Sequence, residues 1–314
     1  MQLRYGILST SSIAPRFIAA VREAAAGNVV AVSSRSLEKA QKKALEWNIP
    51  AAYGSHEELF ADDNVNVVYI STVNSEHYRW AKAALLKGKH VICEKPCTTT
   101  AAQTAELYDL AQQMGVFFME AQKMLFLPAV LQVRDRIQRG ELGTIHMAQL
   151  THSFSGLYND WLFDPKLGGG TLLSSGIYAV QLILWLLGDI TQISGVQQTA
   201  PQGGECQYIL TGQTESGVQF TCKNSTLATL DNTARIYGEK GWVELPEYWK
   251  ARKAVFHITG KEPETVAFPC DNEMVYEAEH IAHCLHGGLL ASPVVTKDLS
   301  VKGISVLEQV KANW

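Results

Sequence analysis

Hydrophobic positions over the first 120 residues alternate between two rhythms. Short apolar runs, rich in β-branched residues, stand at Leu3–Leu8, Asn28–Ser33, Val65–Ser71, His90–Cys93 and Val116–Met119. Between them, apolar residues recur at helical steps over Ile13–Ala26, Leu37–Trp47, Glu76–Lys87 and Thr100–Met114. Gly88 and Gly115 stand just past the last two stretches, where a helix end favours glycine. Strands alternating with helices in this way predict parallel strands joined by right-handed crossovers.

After about residue 120 the rhythm changes. A helix is expected over Pro128–Arg139, a strand over Ile145–Phe154 and an apolar helix over Leu172–Leu187. From Ile190 to Phe268 the chain reads as strands, with turn signals at Gly203-Gly204, Glu215-Ser216-Gly217 and Glu239-Lys240-Gly241. Hairpins at that spacing predict an antiparallel sheet. Helices over Glu273–His286 and Leu299–Trp314 close the chain. The expected fold is α/β: a doubly wound parallel sheet over 1–120, then an α/β domain over 121–314 with an open-faced, mostly antiparallel sheet. One face of that sheet would pack on helices. The other is expected to be a large apolar face, costly in a monomer, which predicts a homo-oligomer and most simply a homodimer.

Composition narrows the class without naming a chemistry. The chain has 314 residues, 46% of them hydrophobic and 18% charged, which is ordinary for globular domains. A net charge of −4 offers no attraction to nucleic acid or an anionic membrane. The longest apolar run, Ile177–Leu187, falls short of the ~18 residues of a membrane span. Met1–Gly6 lacks the layout of a signal peptide and reads as the start of a strand. The six cysteines are scattered, without a C-x-x-C pair, so reduced thiols and a cytoplasmic location are expected, with neither zinc nor disulfides. His280, His283 and His286 recur every third residue, but no carboxylate or cysteine completes a ligand set. They read as solvated histidines, and no metal is expected.

Three segments carry chemistry. The first strand-turn-helix reads Gly6-Ile7-Leu8-Ser9-Thr10-Ser11-Ser12-Ile13-Ala14. Its helix N-terminus suits a pyrophosphate, but serines stand where later glycines of a dinucleotide fingerprint would be. Serines are small, cap helices and can donate to phosphate. The second predicted strand ends in Ser33-Ser34-Arg35-Ser36, with Lys39 a turn later. No acid stands there to accept from the ribose hydroxyls of NAD, and an arginine fork suits the 2′-phosphate of NADP. The third segment is Val91-Ile92-Cys93-Glu94-Lys95-Pro96-Cys97. A buried strand there delivers Glu94 and Lys95 into a turn fixed by proline, at the kind of strand end where open parallel sheets bind ligands.

Glu94-Lys95-Pro96 at this distance from an N-terminal Rossmann unit resembles the Gfo/Idh/MocA oxidoreductases. Ser71-Thr72-Val73-Asn74-Ser75-Glu76-His77 resembles the family's T-P-N segment followed by a histidine. Gly168-Gly169-Gly170-Thr171-Leu172-Leu173 with Gly176-Ile177-Tyr178 resembles its glycine-rich helix start. Tyr53-Gly54-Ser55, Met119-Glu120-Ala121 and the Gly-Ile-Tyr ending are nearest to the dimeric dihydrodiol dehydrogenases of the family. The likeness runs over nearly the whole chain.

The resemblance implies a Rossmann domain, a nicotinamide cofactor, which the Arg35 segment reads as NADP in preference to NAD, and hydride transfer to or from a sugar-, polyol- or diol-like substrate. By the same likeness Lys95 holds the substrate oxygen beside the nicotinamide, and Tyr178 is the proton donor or acceptor. A free tyrosine is a poor acid, with a pKa of about 10, and a lysine cation nearby favours its phenolate. Ser9, Thr10, Ser11, Ser12 and Ile13 are expected at the pyrophosphate, and Ser34 and Arg35, with Lys39, at the adenosine end. Thr72, Asn74, His77 and Glu94 are expected around the nicotinamide half. Trp161, before the triple glycine, is a candidate substrate wall. Ser174 stands where the family usually has an aspartate, four residues before Tyr178. That departure leaves two alternatives: an NAD(P)-binding sensor with impaired catalysis, or a redox-neutral, glycosidase-like enzyme that keeps its NAD.

Overall fold

The computed structural model describes residues 2–154 and 160–314. They pack as two units. One comprises the chain up to Gln122 with Asn272–Val301, and the other Lys123–Asp271 with Lys302–Trp314.

The first unit runs β1 (Arg4–Leu8), α1 (Ala14–Glu23), β2 (Asn28–Ser33), α2 (Leu37–Trp47), β3 (Ala51–Tyr53), α3 (His56–Ala61), β4 (Val67–Ile70), α4 (Asn74–Leu86), β5 (His90–Glu94), α5 (Ala101–Met114) and β6 (Phe118–Ala121). The six strands lie in the order β3-β2-β1-β4-β5-β6, and every pairing is parallel. Local chemistry sets the helix ends. Ser36 and Thr100 accept backbone N–H groups at the starts of α2 and α5, and Gly115 ends α5 in the left-handed region at φ 66°. The periodicity passed over β3 and α3, which are three and six residues long. Their signal was a capping box instead: Ser55 accepts from Glu58 N–H, and the Glu58 carboxylate accepts from Ser55 N–H. Leu8, Leu59, Ile70, Trp80, Val91, Leu107 and Phe118 belong to one buried core cluster. Each buried side chain of this size contributes about 1.5–3 kcal/mol. Gly6 lies inside this packing, because a Cβ there would stand 2.8 Å from Val65 Cγ1. Its role is close packing of β1, so the phosphate turn proper starts at Ser9.

The second unit carries α6 (Pro128–Gln138), β7 (Ile145–Ser153), α7 (Ile177–Leu187), β8 (Ile190–Thr199), β9 (Glu205–Thr214), β10 (Gln219–Ser225), β11 (Thr233–Gly238), β12 (Gly241–Pro246), β13 (Lys253–Ile258) and β14 (Glu264–Ala267). Its eight strands lie in the order β14-β13-β12-β11-β7-β10-β9-β8, antiparallel throughout except for the β7–β10 pair. Leu182, Ile183, Leu186 and Leu187 of α7 line one apolar seam with Ala148, Leu150, Ala234 and Ile236 of the sheet. The helical stretch Pro165–Leu187 is apolar and long enough to cross a membrane by length and composition, and 78% of its most apolar window is buried inside the protein. That burial is what a core helix shows. The expected run of Ile177–Leu187 is lengthened by the turns before it.

The opposite face of this sheet differs from the apolar surface expected of it. Paired residues pointing that way include Gln149, Thr221, Arg235 and Glu244, with an Arg235 Nε–Glu244 Oε2 ion pair of 2.8 Å. Met147, Val196 and Ile209 are exposed on it, at 41%, 69% and 50%, and Tyr237, Trp242 and His257 stack there. The alternation of strand residues therefore yields a mixed face, polar in its centre. A groove of about 590 Å³ on this side is lined by Gln192, Ser194, Thr211, Gln213, Gln219 and Thr221 among others.

Two helices follow, α8 (Val275–His286) in the first unit and α9 (Lys297–Ala312), which the division between units crosses. The α8 histidines are not all solvated. His280 is half-buried, with Nε2 2.8 Å from Ser292 Oγ and 3.3 Å from Cys284 Sγ, whereas His283 and His286 are exposed. The reason is the helix face: His280 and Cys284 are one turn apart on the side turned toward Ser292. Among the described residues no group of three or more His, Cys, Asp or Glu side chains is placed to hold a metal ion.

Candidate active site

The C-terminal ends of β1, β2, β4, β5 and β6 in the first unit bring together most of the expected residues. β5 ends at Glu94, so Lys95 is the first residue past the strand, and the Lys95–Pro96 peptide is cis. Both Glu94 and Lys95 remain partly exposed while Val91, Ile92, Cys93, Pro96 and Cys97 are buried. The polar pair thus projects from an apolar anchor. Three side chains from neighbouring elements hold this segment. Tyr69 on β4 donates its hydroxyl to Glu94 Oε1 at 2.5 Å, and its ring stacks on Phe17 of α1 at 3.7 Å. Glu120 at the end of β6 is fully buried and accepts from Cys97 N–H at 3.1 Å and from Ser300 Oγ at 2.7 Å. His77 of α4 is 1% exposed, with Nδ1 2.8 Å from the Pro96 carbonyl and Nε2 3.1 Å from the Thr72 carbonyl.

The His77 ring thus ties the turn after β4 to the turn after β5. Burial holds its pKa below the ordinary histidine range, and the two carbonyls pull it back up. A neutral imidazole has one N–H and can donate to only one of them. Asn74 opens α4 and is buried, while Thr72 is half-buried beside it. Tyr69 and Glu120 escaped the sequence pattern as site residues. Tyr69 looked like any strand aromatic, and Glu120 was a resemblance marker only. A carboxylate at the end of an apolar strand was the available signal, since a buried charge needs hydrogen-bond partners.

The turn after β1 fits a dinucleotide phosphate. Ser9 has φ 98°, a conformation that side chains rarely adopt, and its N–H donates to Ser33 O. Ser11 donates to Ser71 Oγ at 2.8 Å, joining the ends of β1 and β4. Ile13 caps α1 without a side-chain hydrogen bond, so no capping side chain competes for the first-turn amides. An uncapped helix N-terminus beside hydroxyls is a fitting anion cradle. At the end of β2, Ser34 is buried and donates its N–H to Tyr53 O, while Arg35 and Lys39 are exposed. Ser33 Oγ lies 2.8 Å from His56 Nδ1. No carboxylate interrupts Ser33–Ser36.

The second unit holds Trp161, Ser174 and Tyr178. Trp161 is half-buried in a 3-10 turn over Asp160–Phe163. The triple glycine follows, and two of its members have a steric reason. A Cβ on Gly169 would stand 2.6 Å from the Leu162 and Trp161 carbonyl oxygens, and one on Gly170 would stand 1.9 Å from Glu205 Oε2. The expected helix over Leu172–Leu187 begins as a π-helical turn, Leu172–Gly176, before α7. Wide turns of this kind recur at functional sites. Ser174 lies in it and donates its N–H to Gly170 O, and Tyr178 is 7% exposed in the first turn of α7. Beneath, Ser175 Oγ donates to Thr171 O and accepts from Asn224 Nδ2 at 2.6 Å. His152 Nδ1 stands 3.4 Å from the same amide, and its ring lies 3.9 Å from that of Trp249.

Comparison with known proteins agrees with this architecture. Residues 3–122 match a family model described as an oxidoreductase family with an NAD-binding Rossmann fold. Residues 130–244 match one described as a GFO/IDH/MocA C-terminal domain. The trans-1,2-dihydrobenzene-1,2-diol dehydrogenase of Mus musculus is 34% identical, over 99% of this chain and 96% of its own length. Its Homo sapiens counterpart is 32% identical over the same shares. Two solved structures share the fold. A 3-ketoreductase from Actinomadura kijaniata, in complex with NADP, has a TM-score of 0.91 at 21% identity, covering 100% of this chain and 98% of that one. A levoglucosan dehydrogenase, in complex with NADH and levoglucosan, has a TM-score of 0.90 at 18% identity, covering 100% and 97%. With relatives of that identity spanning nearly its whole length, the chain belongs to the Gfo/Idh/MocA family of oxidoreductases, with an NAD-binding Rossmann domain at its N-terminus.

Proposed function

We propose that the protein transfers a hydride between NADP(H), in preference to NAD(H), and a sugar-, polyol- or diol-like alcohol or carbonyl. The observation that carries this is the end of β5, where Glu94 and Lys95 emerge half-exposed from a buried strand whose exit is fixed by Tyr69, His77 and Glu120. The substrate class follows the full-length relatives, named as trans-1,2-dihydrobenzene-1,2-diol dehydrogenases, and is in keeping with fold neighbours named as a 3-ketoreductase and a levoglucosan dehydrogenase. The preference for NADP rests on Arg35 and Lys39 standing where an acid would select NAD.

The bound nicotinamide supplies or accepts the hydride. Lys95 donates from its ammonium to the substrate oxygen and stabilises the negative charge that grows there as the carbonyl is reduced. Tyr178 gives that oxygen its proton, and takes it back in the oxidative direction. Ser174 offers a neutral hydroxyl where the family usually has the charge of an aspartate. Glu94 accepts from Tyr69 and keeps its other oxygen near Lys95 N–H at 3.3 Å, which aligns the segment. Ser9 to Ile13 hold the pyrophosphate, and Thr72 and Asn74 border the nicotinamide half. His77 acts behind them through the Thr72 and Pro96 carbonyls.

We place the protein in the cytoplasm as a homodimer. Six free thiols fit a reducing compartment, and the outer face of the second sheet, with Met147, Val196 and Ile209 exposed on it, is the surface on which two copies would pair. The test is NADPH oxidation across sugar ketones, vicinal dicarbonyls and hydroxyketones. Turnover of at least one class supports the reading. NADPH binding without turnover on any substrate contradicts it.

A further inference from the structure

The adenosine end of the cofactor site rests so far on Ser34, Arg35 and Lys39, all in the segment after β2. A series of side-chain contacts links that end to a second guanidinium, Arg79 on α4. The connection runs through direct contacts within the first unit. Ser33 Oγ, the last residue of β2, lies 2.8 Å from His56 Nδ1. The His56 ring is 5% exposed and meets the Trp80 indole edge-on, with centroids 4.6 Å apart. The Arg79 guanidinium carbon sits 4.4 Å from the Trp80 ring centroid. A cation held over an indole face is confined in orientation while its N–H edges stay available.

Arg79 itself is 66% exposed at its side chain. It forms a solvent-exposed i,i+3 ion pair with Glu76 at 3.6 Å, longer than a hydrogen bond and of the weak surface kind that a phosphate can displace. His56 records both cations. Burial lowers its pKa to about 4, and Arg35 and Arg79 each push it the same way against Glu57. Two guanidiniums therefore act on one neutral ring at the strand end, which adds no third positive charge. An arrangement of two forks with no acid in Ser33–Ser36 suits a dianion.

We propose that Arg79 is a second cation for the 2′-phosphate of NADP(H), sharing it with Arg35, with Trp80 as the platform that holds its guanidinium. This deepens the cofactor reading given above and rests on it. Arg79 then acts as a specificity-determining residue: it favours NADP(H) over NAD(H) without touching the reacting atoms.

The test measures Kd for NADP⁺, NAD⁺ and adenosine 2′,5′-bisphosphate by calorimetry on the wild type, Arg79→Ala, Arg79→Lys, Arg35→Ala and the double variant. Thermal melts confirm that each exposed-site variant is folded. Arg79→Ala is expected to weaken NADP⁺ and the bisphosphate by about tenfold or more, as loss of a charge-assisted contact does. NAD⁺ should change by less than about twofold, since it has no 2′-phosphate to contact. Arg79→Lys should recover part of the loss. The double variant should lose less than the product of the single losses, because the two cations share one group. Equal loss for NADP⁺ and NAD⁺, or no loss for either, overturns the role of Arg79 while leaving the cofactor reading intact. A wild type that bound neither dinucleotide would overturn that reading, and this inference with it.

Discussion

The end of β5 and the start of α7 carry the two side chains to which the proposed chemistry is assigned, Lys95 and Tyr178, and they are built by opposite means. Lys95 follows a regular buried strand, and its turn is held from three sides by hydrogen bonds to Glu94, Pro96 and Cys97. Tyr178 follows a π-helical turn and a glycine segment whose members are fixed by steric closeness to the Trp161 and Leu162 carbonyls and to Glu205. Regular structure with polar bracing places the first. Irregular structure over a buried His152–Asn224–Ser175 lattice places the second. Substitutions in the bracing should therefore act on the exit of β5 mainly through hydrogen bonds, and at the start of α7 mainly through shape.

The largest effects are expected at Lys95 and Tyr178 rather than at the residues that support them. Lys95→Ala should lower kcat/KM by roughly 10³-fold, the upper range for loss of a donor to a developing oxyanion. Dinucleotide affinity, measured by calorimetry, should shift only slightly. Unchanged turnover would remove Lys95 from the chemistry. Tyr178→Phe should cost about 10²-fold in kcat, in line with loss of a general acid. A solvent isotope effect on kcat that is the same in both proteins would argue against proton transfer by this residue.

The supports should rank below these and differ in kind. Glu120→Ala leaves the buried Cys97 N–H and Ser300 hydroxyl without their acceptor and should destabilise the first unit by about 3 kcal/mol in urea unfolding. Asn224→Ala removes one donor to Ser175 and should cost about 1–2 kcal/mol. An Asn224 loss larger than the Glu120 loss would reverse the contrast between polar bracing and shape.

Titration offers a third probe. Burial lowers His56 and His280 to about 4. The unfolded chain, with ordinary histidines near 6.5, binds more protons than the folded one between those values. Their contribution to stability is thus complete above the unfolded value and is lost as pH falls toward 4. Urea midpoints should drop from pH 7 to pH 4.5, and the double His56→Gln, His280→Gln variant should show a shallower fall. An equal fall in both proteins would assign the acid sensitivity elsewhere. The smallest effect is expected at Ser9. Ser9→Gly removes a strained positive φ worth about 1–3 kcal/mol and adds backbone entropy of about 0.5–1 kcal/mol, so a gain of about 1 kcal/mol is expected. A loss of stability would mean the Ser9 hydroxyl matters more than its backbone.

The same contrast explains what could be read from the chain before its coordinates. The first unit was legible because strands and helices there are long enough to show their period, and Glu94-Lys95-Pro96 stands at a strand end that hydrophobicity alone defines. β3 and α3 were not, since three and six residues carry too little periodicity. The bracing residues were hidden as well. Tyr69 and Glu120 act across strands, and only the sheet order β4-β5-β6 makes them neighbours of Glu94 and Cys97. In the second unit, apolar periodicity gave α7 but could not show the π turn, which depends on what surrounds Gly170 and Ser174. The outer sheet face carries polar residues such as Gln149 and Arg235 among its apolar ones, and this was not legible because segment-wide strand content says little about which alternate residues point outward.

The most direct test is transfer of label. NADPH deuterated at the transferring position of its nicotinamide is incubated with the protein and the carbonyl panel, and the alcohol products are weighed by mass spectrometry. The expected result is one deuterium in the product with the wild type, and label transfer slowed roughly 10³-fold in Lys95→Ala although that variant still binds NADPH. No deuterium from the wild type on any substrate, or transfer at an equal rate by Lys95→Ala, would contradict it.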